Sequence, residues 1–321
     1  MIKVQNLRKQ YGRTVAVDDV SFEVGEGENL ILLGTSGCGK TTTLKMLNRL
    51  IEPTSGQVLI NDEDITLQKP ELLRRNIGYV LQNTGLFPHY TISQNIAVVP
   101  KLLKWSNAQI SQRTEELISK LHLPTDLLDK YPRQLSGGQQ QRVGLARALM
   151  TDAPVLLMDE PFGALDNITR ANIQSEFKQL DELQRKTIVM VTHDVQEAFE
   201  LGDRIAIMDK GSIVQLGTPA ELLFKPVNTF VSDFLRSQRL QLELKAVHLT
   251  DVWDLLPSAV EVSKTDLTIP STANIWAAME ILERKHPQHL LIMPSPAHEP
   301  KTVTFDQLMS AWYQHQNTLT A

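Results

Sequence analysis

The sequence predicts an α/β fold with a mixed sheet, and three apolar stretches support this prediction. Residues 30–33, 155–158 and 187–192 are short apolar runs, as is typical of parallel strands that are buried on both faces. The first run leads into a glycine-rich stretch and then into residues 43–50, where leucines recur at helical spacing. Each of the other two runs ends in polar residues. Strand, loop and helix in this order indicate an α/β core.

The glycine-rich stretch indicates the chemistry of this core. It reads Gly34-Thr35-Ser36-Gly37-Cys38-Gly39-Lys40-Thr41-Thr42 and fits the pattern G-x-x-x-x-G-K-[ST]. Glycines let the backbone curl so that several N–H groups point at one phosphate, and the following helix adds a favourable dipole. We therefore expect a nucleotide site in which Lys40 reaches the β- and γ-phosphates and the Thr41 hydroxyl binds Mg²⁺. We also expect the Cys38 thiol to react with a maleimide unless bound nucleotide covers it.

Three further stretches narrow the function. They are Leu135-Ser136-Gly137-Gly138-Gln139, then Asp159-Glu160 after the second apolar run, then His193 after the third. Ser136 is a suitable N-cap for a helix over residues 138–149, whose N-terminus would bind an anion. Asp159 can bind Mg²⁺, and Glu160 can polarise an attacking water. Because one nucleotide does not need two γ-phosphate sites from one chain, we expect a head-to-tail homodimer that closes over ATP.

In this order the stretches resemble the ATP-binding subunits of ABC transporters, over residues 1 to about 235. The resemblance implies a P-loop NTPase core with a mixed sheet, an antiparallel N-terminal β-subdomain and a helical insert. It assigns roles to Tyr11 against adenine, Gln82 at Mg²⁺ and the attacking water, Asp166 at the dimer contact, and His193 at the γ-phosphate, where it orients Glu160. The second copy would contribute residues 136–139 and 166 to each site.

The remaining elements follow from local patterns. Predicted strands lie at residues 2–11, 14–24, 56–60 and 77–82, with a hairpin at 205–208 and 212–215. Predicted helices lie at residues 93–104, with Ser93 as the cap, and at 109–121, 219–223 and 228–235. We expect a helical subdomain from 83 to about 153, inside a cassette that spans residues 1–236.

Residues 237–321 are expected to form a small α+β tail. A helix at 274–283, strands at 289–293 and 301–305, and a helix at 306–313 weakly resemble a single CBS repeat. One repeat offers little core of its own. We therefore expect the apolar helix face of Ile275, Met279 and Leu282 to pack against the same tail in a second subunit, which makes the tail a regulatory or dimerisation element.

Composition limits the partners and the compartment. The chain has 321 residues, 42% of them hydrophobic, a formal net charge of −5 and no long basic run, so a nucleic acid is not an expected partner. The apolar runs are too short to span a membrane, and no signal peptide precedes Met1. Cys38 is the single cysteine, which fits a reducing cytosol. We expect a peripheral protein on the cytoplasmic face of the plasma membrane.

The transported substrate is indicated by resemblance alone. Residues 42–50, 52–56 and 85–89 are similar to importers of quaternary ammonium osmoprotectants such as glycine betaine, proline betaine or choline. This implies ATP-driven import through a separate integral membrane permease, supplied by an extracytoplasmic substrate-binding protein. Leu86, Phe87 and Pro88 would dock a cytoplasmic helix of the permease, and packing in the core is the alternative. Polyamine or amino-acid import is the second candidate, and a soluble ABC nucleotide switch is the third.

Overall fold

The structure is a computed structural model that describes residues 1–82, 84–163, 165–181, 183, 185–258, 267–293 and 299–320. The chain divides into two compact units, Met1–Thr218 and Pro219–Ala321. This division lies closer to the N-terminus than the predicted boundary after residue 236. The reason is local packing, because Arg239 donates a hydrogen bond to the Leu223 carbonyl (3.1 Å) and Phe224 packs against the core of the second unit.

The first unit consists of the following elements. Its described strands are β1 (Ile2–Tyr11), β2 (Thr14–Val24), β3 (Asn29–Gly34), β4 (Ser55–Ile60), β5 (Glu63–Asp64), β6 (Ile77–Val80), β7 (Val155–Asp159), β8 (Thr187–Thr192), β9 (Arg204–Asp209) and β10 (Ser212–Gly217). Its described α-helices are α1 (Lys40–Leu47), α2 (Pro70–Arg75), α3 (Ile92–Ile96), α4 (Val98–Leu102), α5 (Asn107–Lys120), α6 (Gly137–Leu149), α7 (Asn167–Gln179) and α8 (Val195–Leu201).

Two sheets organise these strands. The N-terminal sheet has the order β2-β1-β4-β5 with antiparallel pairing, and the larger sheet has the order β10-β9-β3-β8-β7-β6. In the larger sheet β9, β3, β8, β7 and β6 run parallel, and β10 is antiparallel to β9. All residues of β7 and β8 are buried, which explains their unbroken apolar sequences. The predicted mixed sheet and antiparallel β-subdomain are confirmed, and the carboxyl ends of β3, β7 and β8 meet at one edge.

The predicted single helix at residues 93–104 is wrong. This segment forms the two short helices α3 and α4. Pro100 is the physical reason for the break, because proline has no N–H to donate to the carbonyl four residues earlier. The cap also lies two residues before Ser93. The Thr91 hydroxyl accepts from the Gln94 N–H (3.2 Å), and the Gln94 side chain accepts from the Thr91 N–H (2.9 Å).

The second unit consists of α9 (Pro219–Phe224), α10 (Thr229–Leu235), α11 (Arg239–Ala246), β11 (Thr268–Pro270), α12 (Ile275–Lys285), β12 (Leu290–Met293), β13 (Lys301–Val303) and α13 (Phe305–Thr320). Its sheet has the order β11-β12-β13, with β11 parallel and β13 antiparallel to β12. The predicted helix, two strands and helix are present as α12, β12, β13 and α13, and β11 precedes them. Within the described residues of both units, no helix combines the length and the apolar character needed to cross a bilayer.

The second unit has a hydrophobic core of its own, so the expectation of little core is wrong. Ile275 and Leu282 on α12 are buried, and Met279 packs against the same cluster. The sequence did not predict α11 or β11, and these elements contribute Leu244 and Ile269 to the cover over α12. The apolar face of α12 is therefore covered inside one subunit and needs no second tail.

Candidate nucleotide-binding site

The glycine-rich loop lies between the end of β3 and the start of α1. Thr35, Ser36 and Gly37 are exposed, whereas Lys40 is buried at the first position of α1, three residues earlier than the predicted helix start. The loop curls through two left-handed glycines, with φ of +81° at Gly37 and +106° at Gly39. A Cβ on Gly39 would lie 2.5 Å from the Ala16 carbonyl oxygen of β2. A loop of this curvature, followed by a helix of eight residues, fits a phosphate group.

Lys40 folds back along the loop. Its Nζ donates to the carbonyl oxygens of Gly34 (2.7 Å) and Thr35 (2.8 Å) and lies 3.7 Å from the Cys38 Sγ. Among the described residues, no carboxylate lies within ion-pair distance of Nζ. No direct ion pair neutralises the ammonium, and the Asp159 carboxylate interacts with it only through longer-range electrostatics. The positive charge at the loop favours a bound anion over an empty loop.

Cys38 does not face the nucleotide side of the loop as expected. Its side chain is only 3% exposed and belongs to the hydrophobic cluster that includes Val17 and Met208. The loop turns between Thr35 and Cys38, whose backbone N–H donates to the Thr35 carbonyl (3.4 Å), and this turn places the thiol on the core side. Only the backbone of Cys38 is left for phosphate binding, and the expectation of a nucleotide-protected thiol loses its basis.

Thr41 and Asp159 supply a pair of oxygen ligands next to the loop. The Thr41 hydroxyl donates to Oδ1 of Asp159 at 2.7 Å, across the gap between α1 and the end of β7. Asp159 is buried, and this burial raises the pKa of its carboxyl above the ordinary aspartate value. A buried carboxylate beside a hydroxyl fits a hard divalent cation, because the cation would replace the solvation that the carboxylate has lost. Thr42 follows in the same helical turn of α1.

Glu160 is the point where three strand ends converge. Its Oε2 accepts a hydrogen bond from Nε2 of Gln82 (3.0 Å) and lies 3.2 Å from Nδ1 of His193. Sheet order explains this, because β7 lies between β6 and β8, which lead into Gln82 and His193. The backbone of Glu160 is left-handed, with φ of +44°, and its N–H donates to the Val191 carbonyl (2.9 Å). Strained backbone of this kind is concentrated at functional sites.

Tyr11 lies at the end of β1, in the hairpin whose second strand passes the loop. Tyr11 is 48% exposed, and the Lys9 Nζ lies 5.0 Å from the ring centroid. The hairpin is fixed beside the loop through Gly211, which accepts from the Asp18 N–H (2.9 Å) and donates to the Cys38 carbonyl (3.1 Å). An exposed ring on a fixed hairpin leaves one face available for stacking.

The Ser136–Gln139 segment forms the predicted N-terminus of α6. The Ser136 hydroxyl accepts from the Gln139 N–H (3.3 Å), and the Gln139 side chain accepts from the Ser136 N–H (2.9 Å). Ser136 and Gly137 are exposed, while Gly138 is buried against α7 at Thr169. Asp166 is likewise an N-cap, since its carboxylate accepts from the Thr169 N–H (3.0 Å) at the start of α7. Ser136, Gly137 and Asp166 are therefore exposed at the starts of two helices. These residues are expected to complete the glycine-rich loop of a second copy.

The sequence did not predict the residues whose hydrogen bonds hold the segments around this site together. Arg170 bonds both the Leu165 carbonyl and Asp194, and a buried carboxyl, Glu197, accepts from Gln174 at 3.1 Å. One signal was present in the sequence, because Asp194 precedes α8 as a good N-cap residue. Nothing local indicates the contact of Arg170 with Asp194, which lies 24 residues further along the chain.

Comparisons with known proteins agree with this geometry. Residues 17–163 match the ABC transporter family. The carnitine transport ATP-binding protein OpuCA of Listeria monocytogenes is 48% identical over 294 residues, which cover 91% of this chain and 72% of that protein. The osmoprotectant import ATP-binding protein OsmV of Salmonella typhimurium is 50% identical over 274 residues, 84% of this chain and 72% of that protein.

A solved structure of an ATP-binding cassette, a dimer in a post-hydrolysis state bound to ADP and Pi, matches with a TM-score of 0.61 and 33% identity. The match covers 68% of this chain and 98% of that one. The identities of 48% and 50% extend over more than two thirds of the lengths of OpuCA and OsmV. Sequence identities of this size are far above what a shared fold alone requires. The chain therefore belongs to the ABC transporter family, among its ATP-binding proteins.

Proposed function

We propose that this chain is the ATP-hydrolysing subunit of an importer for a quaternary ammonium osmoprotectant. The observation that carries the ATPase assignment is the convergence of Gln82 and His193 on one oxygen of Glu160, beside the Thr41–Asp159 pair. A carboxylate held by two polar side chains at the end of a buried strand is suited to accept a proton from a water or to orient it.

Each residue has a defined part in hydrolysis. The curled loop and Lys40 would hold the phosphates and neutralise their charge, and Thr41, Asp159 and Gln82 would hold Mg²⁺. When bound, the cation would supply further neutralisation of the phosphate charge. Glu160 positions the attacking water, and His193 fixes the carboxylate from its exposed side. In this proposal, catalysis consists mostly of positioning the phosphates and the attacking water, and Glu160 is the one proton acceptor.

Two copies are needed for a complete site. The N-terminus of α6 carries exposed Ser136 and Gly137, and a helix end of this kind adds anion-binding N–H groups to the phosphates on another copy. Gly138, Gln139 and Asp166 would line the same contact. The similar solved cassette is a dimer bound to ADP and Pi, which supports this arrangement for the present chain.

Complementation tests the two-copy site. A dimer of Lys40→Ala and Ser136→Arg subunits keeps one intact loop facing one intact α6 terminus, whereas each homodimer keeps none. Mixing the two inactive proteins in equal amounts should restore about a quarter of the wild-type sites, since half of the dimers are mixed and each has one good site. A mixture with no more ATPase activity than its components would remove the two-copy site, and reassociated wild-type protein is the control.

An exposed aromatic cluster is the proposed contact with the permease. Phe87 is 41% exposed and its ring lies 5.4 Å from that of Tyr90, with His89 between them in sequence. The segment is held firmly, because Asn95 exchanges hydrogen bonds with Phe87 (2.7 and 3.1 Å) and Arg147 of α6 donates to the Gly85 carbonyl (2.7 Å). A rigid patch of exposed rings suits contact with a helix of an integral membrane protein. This supports our proposal that the chain acts at the cytoplasmic face of the membrane.

The substrate class rests on the relatives. The cassette has no contact with the transported molecule, so its own site cannot select one. The similarity to OpuCA covers 91% of this chain and so extends well into the second unit, which favours a quaternary ammonium system over a general import cassette. A separate binding protein would recognise such a cation through aromatic rings.

Uptake in membrane vesicles tests this substrate class. The vesicles would contain the permease that co-purifies with this chain, its binding protein, and labelled glycine betaine, choline, carnitine or spermidine. Uptake of the three quaternary amines should require internal ATP and disappear with Lys40→Ala. Uptake of spermidine alone would refute the substrate class and leave the ATPase assignment intact.

A further inference from the structure

Two segments of the site are tied together by one arginine on α7. Nη2 of Arg170 donates to the Leu165 carbonyl (3.0 Å), immediately before Asp166, and Nη1 donates to Oδ2 of Asp194 (3.2 Å), immediately after His193. The side chains of Arg170 and Asp194 are only 26% and 29% exposed. The fork of a guanidinium can hold a carbonyl and a carboxylate at once, which gives this contact a defined geometry.

Both ends of this bridge are helix N-termini. Asp166 caps α7, and Asp194 caps α8 by accepting from the N–H groups of Gln196 (2.9 Å) and Glu197 (3.2 Å). One turn further along α7, Gln174 donates to Glu197 of α8 at 3.1 Å. The two helices are therefore linked by two polar contacts, one at their N-termini and one a turn further along.

One end of the bridge, Asp194, lies next in sequence to His193, the residue that contacts the carboxylate of Glu160. Asp194 follows His193 directly, and its N–H donates to the Thr192 hydroxyl (3.0 Å), so its position fixes the exit of the chain from β8. His193 Nδ1 lies 3.2 Å from Glu160. An error of about 1 Å at such a position is enough to disturb a reacting geometry.

We propose that Arg170 is a positioning residue that couples the segment at Asp166 to the orientation of His193 over Glu160. This rests on the proposed function, in which Asp166 lies at the contact with the second copy. Closure of that contact then reaches His193 through Arg170, and hydrolysis responds to the second copy through a side chain that contacts neither the nucleotide nor the attacking water. ATP binding, which uses the loop, does not depend on this bridge.

The experiment compares the steady-state ATPase of Arg170→Met, Asp194→Asn and the double variant. Asparagine keeps the cap of α8 and removes the charge that Arg170 holds, so this variant is informative even if Arg170→Met folds poorly. We expect kcat to fall roughly tenfold in each single variant, with KM and the Kd for a fluorescent ATP analogue changed by no more than about twofold. The double variant should have the kcat of the poorer single variant, because both changes break one bridge.

The matched control is the Arg204–Glu28 pair, 3.0 Å apart and of similar exposure, at the opposite end of the parallel strands. Arg204→Met and Glu28→Gln should leave kcat within about twofold. The proposal is overturned if Arg170→Met loses no more kcat than this control, or if the two effects multiply in the double variant. Wild-type protein that hydrolyses no ATP, or a fully active Glu160→Gln protein, would instead count against the proposed function.

Discussion

The buried carboxyl of Glu197 allows a test of how burial changes the pH dependence of stability. Its carboxyl is almost fully buried between α8 and α7, and this burial raises the pKa of Glu197 from 4.5 to about 7. Hydrogen bonds from Thr192 and Gln174 oppose the shift without cancelling it. The perturbation we choose is Glu197→Gln, which keeps the shape and the hydrogen-bonding capacity and removes the titration.

The sign of the effect follows from proton binding. Between the unfolded pKa near 4.5 and the folded pKa near 7, the folded chain binds more protons at this site than the unfolded chain. Stability therefore falls as pH rises through this window. The full shift corresponds to about 3 kcal/mol of unfolding free energy, of which about 2 kcal/mol is lost between pH 5 and pH 7. The glutamine variant lacks this loss.

Urea denaturation at pH 5, 6, 7 and 8 measures the effect. At pH 5 the wild-type protein and the variant should have similar free energies of unfolding. At pH 7 the variant should be more stable than the wild-type protein by about 2 kcal/mol. Glu115→Gln, which removes an exposed carboxylate on α5, controls for the loss of a surface charge. A difference between wild type and Glu197→Gln that does not change with pH would show that the buried carboxyl does not titrate in this window.

Three further predictions follow from the site. Glu160→Gln should bind ATP normally, lose at least about 99% of ATPase turnover and accumulate as an ATP-bound dimer in sedimentation, since it keeps the contacts and loses the proton acceptor; near-normal turnover would contradict this role. Gly39→Ala should lower the melting temperature more than Gly37→Ala, because both add left-handed strain of about 1 kcal/mol but only the former also meets the Ala16 carbonyl, at 2.5 Å; equal melting temperatures would contradict the clash. Cys38 should react slowly with a maleimide with or without MgATP and rapidly in urea, because its thiol is in the core; protection by nucleotide would restore the original expectation.

The core of the site was predictable because its signals are local. The spacing of Gly34, Gly39 and Lys40 specifies a curled loop before a helix, and no tertiary contact is needed to recognise it. Apolar runs without alternation predicted β7 and β8 as buried strands, and the cap at Ser136 predicted the start of α6. These features depend on residues that lie within one turn or one strand.

Other features were decided by tertiary structure alone. The direction of the Cys38 thiol depends on which core lies under the loop, and the cover over α12 depends on α11 and β11, which have weak patterns of their own. The contact of Arg170 with Asp194 exists because β7 and β8 are neighbours in the sheet, so the helices that follow them start side by side. Strand order is set by the packing of whole helices against the sheet, and no local stretch of sequence records it.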